Sequence, residues 1–321
     1  MHRVELNWIR AIQGDGSLAT PMIWISDVGL QALPCIVAAI FFLQSRKVGL
    51  RFFFLLSLSA AFLSVLKLAF HWPRPYWLDA GIVALSPESS YGMPSGHAVQ
   101  TTLVWLAVAE FARRWWVWTL AIGTILLVSF SRIYLGCHFI SDVVGGIIIA
   151  IAILWIAPRL EAKLSLRSIR TSLLLAACAV FVLLVTGWVI RWNNPPIGDP
   201  ASWPGSASGD LGALFSWGGA SLAAAWVAFA DRDASPFATT NWKRAFALGF
   251  ALAGAWVIRE VDHAVPKFNF EPIHLAVSFS FGCAAAAWVF YLAPRIMIFI
   301  GLLPSDSHHH FQSTEPRPLH D

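Results

Sequence analysis

The sequence predicts an all-α fold, a polytopic membrane helical bundle of about nine transmembrane helices. Three observations point there. Of 321 residues, 57% are hydrophobic and only 12% are charged, with a mean hydropathy of +0.65. A soluble domain carries about twice that share of charge and needs it to cover its core. Apolar runs of spanning length recur along the chain. Trp collects at their ends, as at Trp72 and Trp77, Trp115 and Trp116, and Trp188 and Trp192, where an apolar slab meets water. The same numbers exclude disorder, because the chain has ample apolar surface to bury. The net charge of +4 and pI near 9.0 require no nucleic-acid partner, since basic loops are common in membrane proteins.

In chain order, residues 1–20 form an amphipathic segment, with Arg3, Glu5 and Arg10 interspersed among Val4, Leu6, Trp8, Ile9 and Ile12. This pattern suits a surface helix and not a cleavable signal peptide. The expected spans are roughly 22–43, 52–70, 97–112, 115–132, 138–157, 171–190, 211–230, 244–262 and 273–293. The third is short and starts inside a turn at Pro94. Residues 304–321 read as a polar, disordered tail, with His308, His309 and His310 solvated. Cys35, Cys137, Cys178 and Cys283 show no pairing or metal-ligand spacing.

Orientation follows from the cations. With nine spans the loops alternate, and 14 of the 22 Lys and Arg residues fall on one side, among them Arg46, Lys47, Arg51, Arg113, Arg114, Arg159, Lys243, Arg244 and Arg295. That side is expected to be cytoplasmic, with the N-terminus outside and the C-terminus inside.

Three polar segments interrupt the first five spans, all on the outer face: Lys67 with Arg74-Pro75, then Pro94-Ser95-Gly96-His97, then Ser131-Arg132 with His138 and Asp142. Ionisable groups at membrane depth are costly and mark function. Lys67, Arg74 and Arg132 together call for an anion, and Asp142 alone is too few to balance them. Ser95, Gly96 and His97 open a helix, whose N–H groups and dipole favour phosphate. Gly96 allows close backbone approach. Arg suits bidentate contact with phosphate oxygens and Lys a point contact. His138 and Asp142, four apart, share one helix face. A carboxylate on one ring nitrogen fixes the tautomer and leaves the other nitrogen to attack, with His97 as acid for the leaving oxygen.

This three-part pattern resembles the type 2 phosphatidic acid phosphatase (PAP2) superfamily, and no position of the motif departs from it. The resemblance implies a phosphohistidine at His138, oriented by Asp142, and His97 as general acid and then base. Lys67, Arg74, Ser95, Gly96 and Arg132 would bind the phosphoryl oxygens, with no metal and no cofactor. It makes 21–160 a PAP2-like catalytic membrane core and 161–303 additional transmembrane helices. The nine-span layout, Arg74-Pro75-Tyr76-Trp77 and Ser131-Arg132-Ile133-Tyr134-Leu135 are similar to the glucose-6-phosphatase arrangement.

The implied partners are the bilayer and a lipid phosphate or prenyl diphosphate, because the 76–93 loop is short and includes Trp77, Ile82, Val83 and Leu85. A sugar-phosphate phosphatase and, in another class, a multi-span transporter stay open. Compact outer loops without a glycosylation sequon point to a bacterial inner (plasma) membrane, with the site on the extracytoplasmic face.

Overall fold

A computed structural model of the chain describes residues 2–164, 169–193, 206–230, 237, 239–265 and 271–304. The expected disordered tail beyond 304, with its three His, lies outside the described residues. Every regular element among those described is helical. They are α1 (His2–Gln13), α2 (Ala19–Ala39), α3 (Arg46–Phe70), α4 (Pro75–Leu78), α5 (Gly96–Ala112), α6 (Trp115–Tyr134), α7 (Ile140–Leu164), α8 (Ile169–Asn193), α9 (Ser206–Ala230), α10 (Asn241–Ala264), α11 (Glu271–Ala287) and α12 (Ala293–Phe299). π-helical turns at Ile40–Gln44 and Trp288–Leu292 extend α2 and join α11 to α12.

Helices occupy all nine predicted stretches, with ends shifted by several residues. Seven are long and apolar enough to cross a bilayer. The other two fall short of that measure. α5 has 17 residues, and α10 carries Lys243 and Arg244 near one end and Arg259, Glu260 and Asp262 near the other. Length and apolarity therefore support seven crossings and do not by themselves establish nine. The bundle's outer surface is apolar: Ile148, Ile151 and Trp155 of α7, Phe181 and Val182 of α8, and Trp256 of α10 are exposed. So wide an apolar exterior suits lipid and not water.

α3 is the central helix. It packs on α9, α8, α2 and α5, and its Phe53, Leu56 and Leu63 join a core with Phe41, Val99, Leu103, Ala224 and Phe290. α9 and α11 cross at close range because each offers a glycine. A Cβ on Gly282 would fall 1.8 Å from the Ser216 carbonyl oxygen, and one on Gly219 would fall 2.2 Å from that of Phe279. Small residues permit such backbone approach between apolar helices.

Local signals set where the helices stop, and hence where the polar motifs sit. Ser45 caps α3, its Oγ accepting from Val48 N at 3.3 Å. His71 ends α3 in the left-handed region (φ 51°), its N–H donating to Lys67 O, so the chain turns one residue after the last helical turn, which holds Lys67. Arg74 is extended because proline follows it, and Pro75 opens α4. Ser95 is extended before Gly96 starts α5, and the Met93–Pro94 peptide is cis. α1 lies across the loops at this end, with Ile9 buried against Ile82 and Phe139.

Candidate active site

One end of the bundle gathers the three polar motifs. Lys67 comes from the last turn of α3, Arg74 from the start of α4, and His97 from the first turn of α5. Arg132 comes from the last turn of α6, His138 from the loop before α7, and Asp142 from the first turn of α7. Lys67, Arg74, Gly96, His97 and His138 line a single cavity of about 290 Å³. Arg132, Ser95 and Asp142 are buried behind that lining.

His138 and Asp142 meet, though not on one helix face as the spacing predicts, because His138 precedes the first residue of α7. Nδ1 lies 3.3 Å from Asp142 Oδ2, and the same oxygen accepts from Phe139 N at 2.9 Å. With Nδ1 carrying the proton toward the carboxylate, the Nε2 lone pair faces Arg74 Nη1 at 3.3 Å. Burial drives the His138 pKa well below the ordinary imidazole value, and Arg74, Arg132 and Lys67 add to that effect. That shift favours the neutral ring, the form in which it can act as a nucleophile.

The cations are held by the 88–91 loop. Arg74 donates from Nε to Ser90 O at 2.6 Å, from Nη2 to Ser90 Oγ at 2.8 Å and from Nη1 to Cys137 O at 2.9 Å. Lys67 Nζ donates to Ser90 Oγ at 2.8 Å and to Tyr91 O at 2.9 Å. An ammonium has three N–H bonds, so one stays unused by these two acceptors. Arg132 donates from Nη1 to Ser26 Oγ at 2.8 Å and from Nη2 to Glu88 Oε1 at 2.6 Å. The buried Ser95 Oγ and Arg132 Nε have no hydrogen-bond partner. Such groups are costly unless something completes them, and both belong to the predicted phosphate-binding set.

Two carboxylates that sequence reading passed over balance these charges. Glu88 lines the cavity and pairs with Arg132. Burial raises its pKa, but Arg132, Arg74 and Lys67 outweigh that and hold it below the usual carboxylate value. Asp210, in α9, lies 4.0 Å from Lys67 Nζ. The expectation that three cations face Asp142 alone and so call for an anion is corrected: Glu88 and Asp210 supply two further carboxylates. Asp210 was visible in sequence only as an acid near the start of an apolar span. Among the described residues, no three His, Cys, Asp or Glu side chains group to hold a metal.

The cavity has a second character. Leu30 of α2, Ala60 and Leu63 of α3, and Ala213 and Trp217 of α9 form an apolar wall beside the cations.

The PAP2 superfamily model matches residues 48–166, so the chain carries a PAP2 superfamily domain, and the three motifs lie within it. The chain is 27% identical over 157 residues to the undecaprenyl-diphosphatase of Sulfolobus acidocaldarius, covering 47% of this chain and 75% of that protein. It is 37% identical over 89 residues to sphingosine-1-phosphate phosphatase 1 of Rattus norvegicus, covering 26% of this chain and 21% of that one. It is 29% identical over 223 residues to glucose-6-phosphatase 3 of Mus musculus, covering 59% of this chain and 57% of that one. The chain thus spans well under two thirds of the two mammalian relatives. No solved structure matches the chain.

Proposed function

We propose that the protein is an integral membrane phosphatase that hydrolyses a lipid phosphate or diphosphate through a phosphohistidine. The observation that carries this reading is His138, seated between Asp142 and Arg74 at the wall of a cavity whose lining includes Lys67 and Arg74 together with Leu30, Leu63 and Trp217. His138 Nε2 attacks phosphorus and the phosphorus–oxygen bond to the leaving group breaks, an ester bond in a monophosphate and an anhydride bond in a diphosphate. The leaving oxygen takes its proton from His97. His97 then removes a proton from water, whose oxygen attacks phosphorus, and the phosphorus–nitrogen bond breaks to release phosphate. Arg74, Lys67, Arg132 and the first-turn N–H groups of α5 stabilise the charge on the phosphoryl oxygens. In other phosphatases metal ions take that task, and here activity is expected to persist in excess chelator.

The apolar wall supports a substrate whose headgroup meets the cations while its tail stays among α2, α3 and α9. The names of the undecaprenyl-diphosphatase and sphingosine-1-phosphate phosphatase relatives point the same way. The alignment with glucose-6-phosphatase 3, which covers the most of this chain among the three, favours a sugar phosphate as second reading. Purified protein in detergent, given a prenyl diphosphate, phosphatidylglycerol phosphate, a sphingoid phosphate and glucose 6-phosphate, separates them. Release from the lipids with glucose 6-phosphate inert supports the first reading, and the reverse overturns it.

The proposed topology has nine crossings, the site on the extracytoplasmic face of a bacterial inner membrane and the C-terminus in the cytoplasm. Arg46 and Lys67 mark opposite ends of the 25-residue α3, and the end with Arg46, Arg113, Arg114 and Arg244 is the cation-rich one expected inside. A reporter active only outside, fused after residue 321, should stay silent.

A further inference from the structure

Asp210 lies outside the matched PAP2 segment, in a helix to which the motifs assign nothing, yet it reaches the site. Its side chain is 3% exposed and lines the cavity. Oδ2 accepts from Tyr91 N at 2.9 Å, and Oδ1 sits 4.0 Å from Lys67 Nζ. Tyr91 is the residue whose carbonyl accepts from both Lys67, at 2.9 Å, and Arg74, at 3.2 Å. Asp210 thus grips the backbone on which both cations hang and supplies Lys67 with its nearest negative charge.

The approach of α9 to this loop is built in. A Cβ on Gly209 would fall 2.7 Å from the Ser89 carbonyl oxygen, so only glycine lets the helix come this close. The neighbouring Leu211 and, one turn on, Leu214 pack with Tyr91, Trp77, Val65 and Leu68 in a single apolar cluster. A carboxylate buried this deeply is strongly disfavoured unless hydrogen-bonded and paired. Tyr91 N–H and the Lys67 ammonium are the groups that meet that need.

We propose that Asp210 is a positioning residue for the phosphatase site, acting through Lys67, so that the helices beyond residue 205 complete the anion-binding apparatus of the PAP2 domain. The inference rests on the phosphatase reading above. Ser90 Oγ and Tyr91 O take two of the three ammonium N–H bonds, and Asp210 fixes the Tyr91 acceptor and the charge. The third N–H is thereby aimed into the cavity for a phosphoryl oxygen.

The sign of the effect separates this role from its opposite. A carboxylate on a phosphate cavity that merely repelled the ligand would, when neutralised, let anions bind more tightly. The test uses the full chain in detergent and orthovanadate as the probe. Its binding is read from the vanadate concentration that raises the thermal unfolding midpoint, and turnover is measured on whichever panel substrate is active. Asp210→Asn keeps an acceptor for Tyr91 N–H at nearly the same volume, so the protein is expected to fold. It should bind vanadate about tenfold more weakly and lose about tenfold in kcat/KM, the scale of a charge-assisted contact. In a Lys67→Met background the same change should alter vanadate binding less than about twofold, because the group it acts through is gone. Unchanged or tighter vanadate binding in Asp210→Asn, or an equal loss with and without Lys67, overturns the proposal. A wild-type protein that binds vanadate but turns over no phosphoester defeats the phosphatase reading alone, and the binding arm still decides Asp210.

Discussion

The two ends of the bundle both carry clustered cations and treat them in opposite ways. At the site end, Lys67, Arg74 and Arg132 are buried, and each is held by carbonyls, hydroxyls or carboxylates. At the other end, Lys47, Arg51, Arg113 and Arg114 are exposed. Arg46 is buried there too, but against the face of Phe237, 4.7 Å from the ring centroid, and Arg295 lies 4.4 Å over Tyr291. Exposed or ring-stacked cations cost little to keep and serve to orient a chain in a bilayer. Buried cations with directional partners cost a great deal, and at the site end the carboxylates of Asp142, Glu88 and Asp210 accompany them around one cavity. Position along the membrane normal, more than charge count, separates topogenic from chemical cations.

The largest expected effect lies at the site end. His138→Ala should lower turnover by about three orders of magnitude or more with unfolding unchanged, because it removes the nitrogen proposed to attack phosphorus. Phosphate release near the wild-type rate would break the comparison outright. Asp142→Asn keeps a hydrogen-bonding group near Nδ1 but loses its charge, and a loss of about a hundredfold is expected. Arg74→Lys is a sharper probe. It keeps the charge but loses the fork that spans Ser90, Tyr91 and Cys137, so kcat/KM should fall by about thirtyfold. A near-silent Arg74→Lys would mean that charge alone suffices, as at the opposite end of the bundle.

The pH profile tests the same burial. His138 has its pKa lowered, so its neutral, reactive form persists as pH falls through the ordinary imidazole value. The acid limb of kcat/KM assigned to this ring should therefore lie below pH 6.5. Arg74→Gln removes one cation that holds the proton off and should move the limb upward in the residual activity. A limb at or above the ordinary value in the wild-type protein would contradict the neutral ring.

Smaller effects remain. Glu88 occupies Arg132 where a phosphoryl oxygen is expected, and its side chain is 32% exposed. Glu88→Gln removes that competitor, so vanadate should bind about threefold more tightly, a modest change suited to a partly solvated pair. Weaker binding would make Glu88 a support for Arg132 and not its rival. Arg113→Gln with Arg114→Gln should leave kcat/KM within about twofold, since exposed cations contribute little.

What could be read from sequence tracks how local the signal is. His138 and Asp142 are four residues apart, so the short path from the loop into the first turn of α7 brings them together. Lys67, Arg74 and the Pro94–His97 turn declare themselves by residue type beside apolar runs. Glu88 and Asp210 do not. Glu88 sits in a loop whose apolar residues dominate its reading, and its partner Arg132 is 44 positions away. The partner of Asp210, Tyr91, lies 119 positions earlier. Such pairings depend on how α9 docks against the first helices, and one apolar helix carries little information about which neighbour it chooses. The count of crossings was blurred for a related reason. α5 is shortened because its first turn is given over to Gly96 and His97, so chemistry takes length from the span.

The N-terminal helix shows how this site end is closed. Glu5 of α1 accepts from Ser141 N at 3.0 Å, Gln13 bonds to Val83 and to Tyr134 O, and Arg10 pairs with Asp79. These partners lie on both motif loops, and the farthest is 136 residues later in the chain. During synthesis α1 exists long before anything it grips. The last tie can form only after the strand of chain through Ser141 has been delivered to the same side of the bilayer. The tie of α1 to Ser141 must wait for residue 141, and the tie of Tyr91 to Asp210 must wait longer still, for residue 210, so the site end is closed in stages that follow the order of the chain.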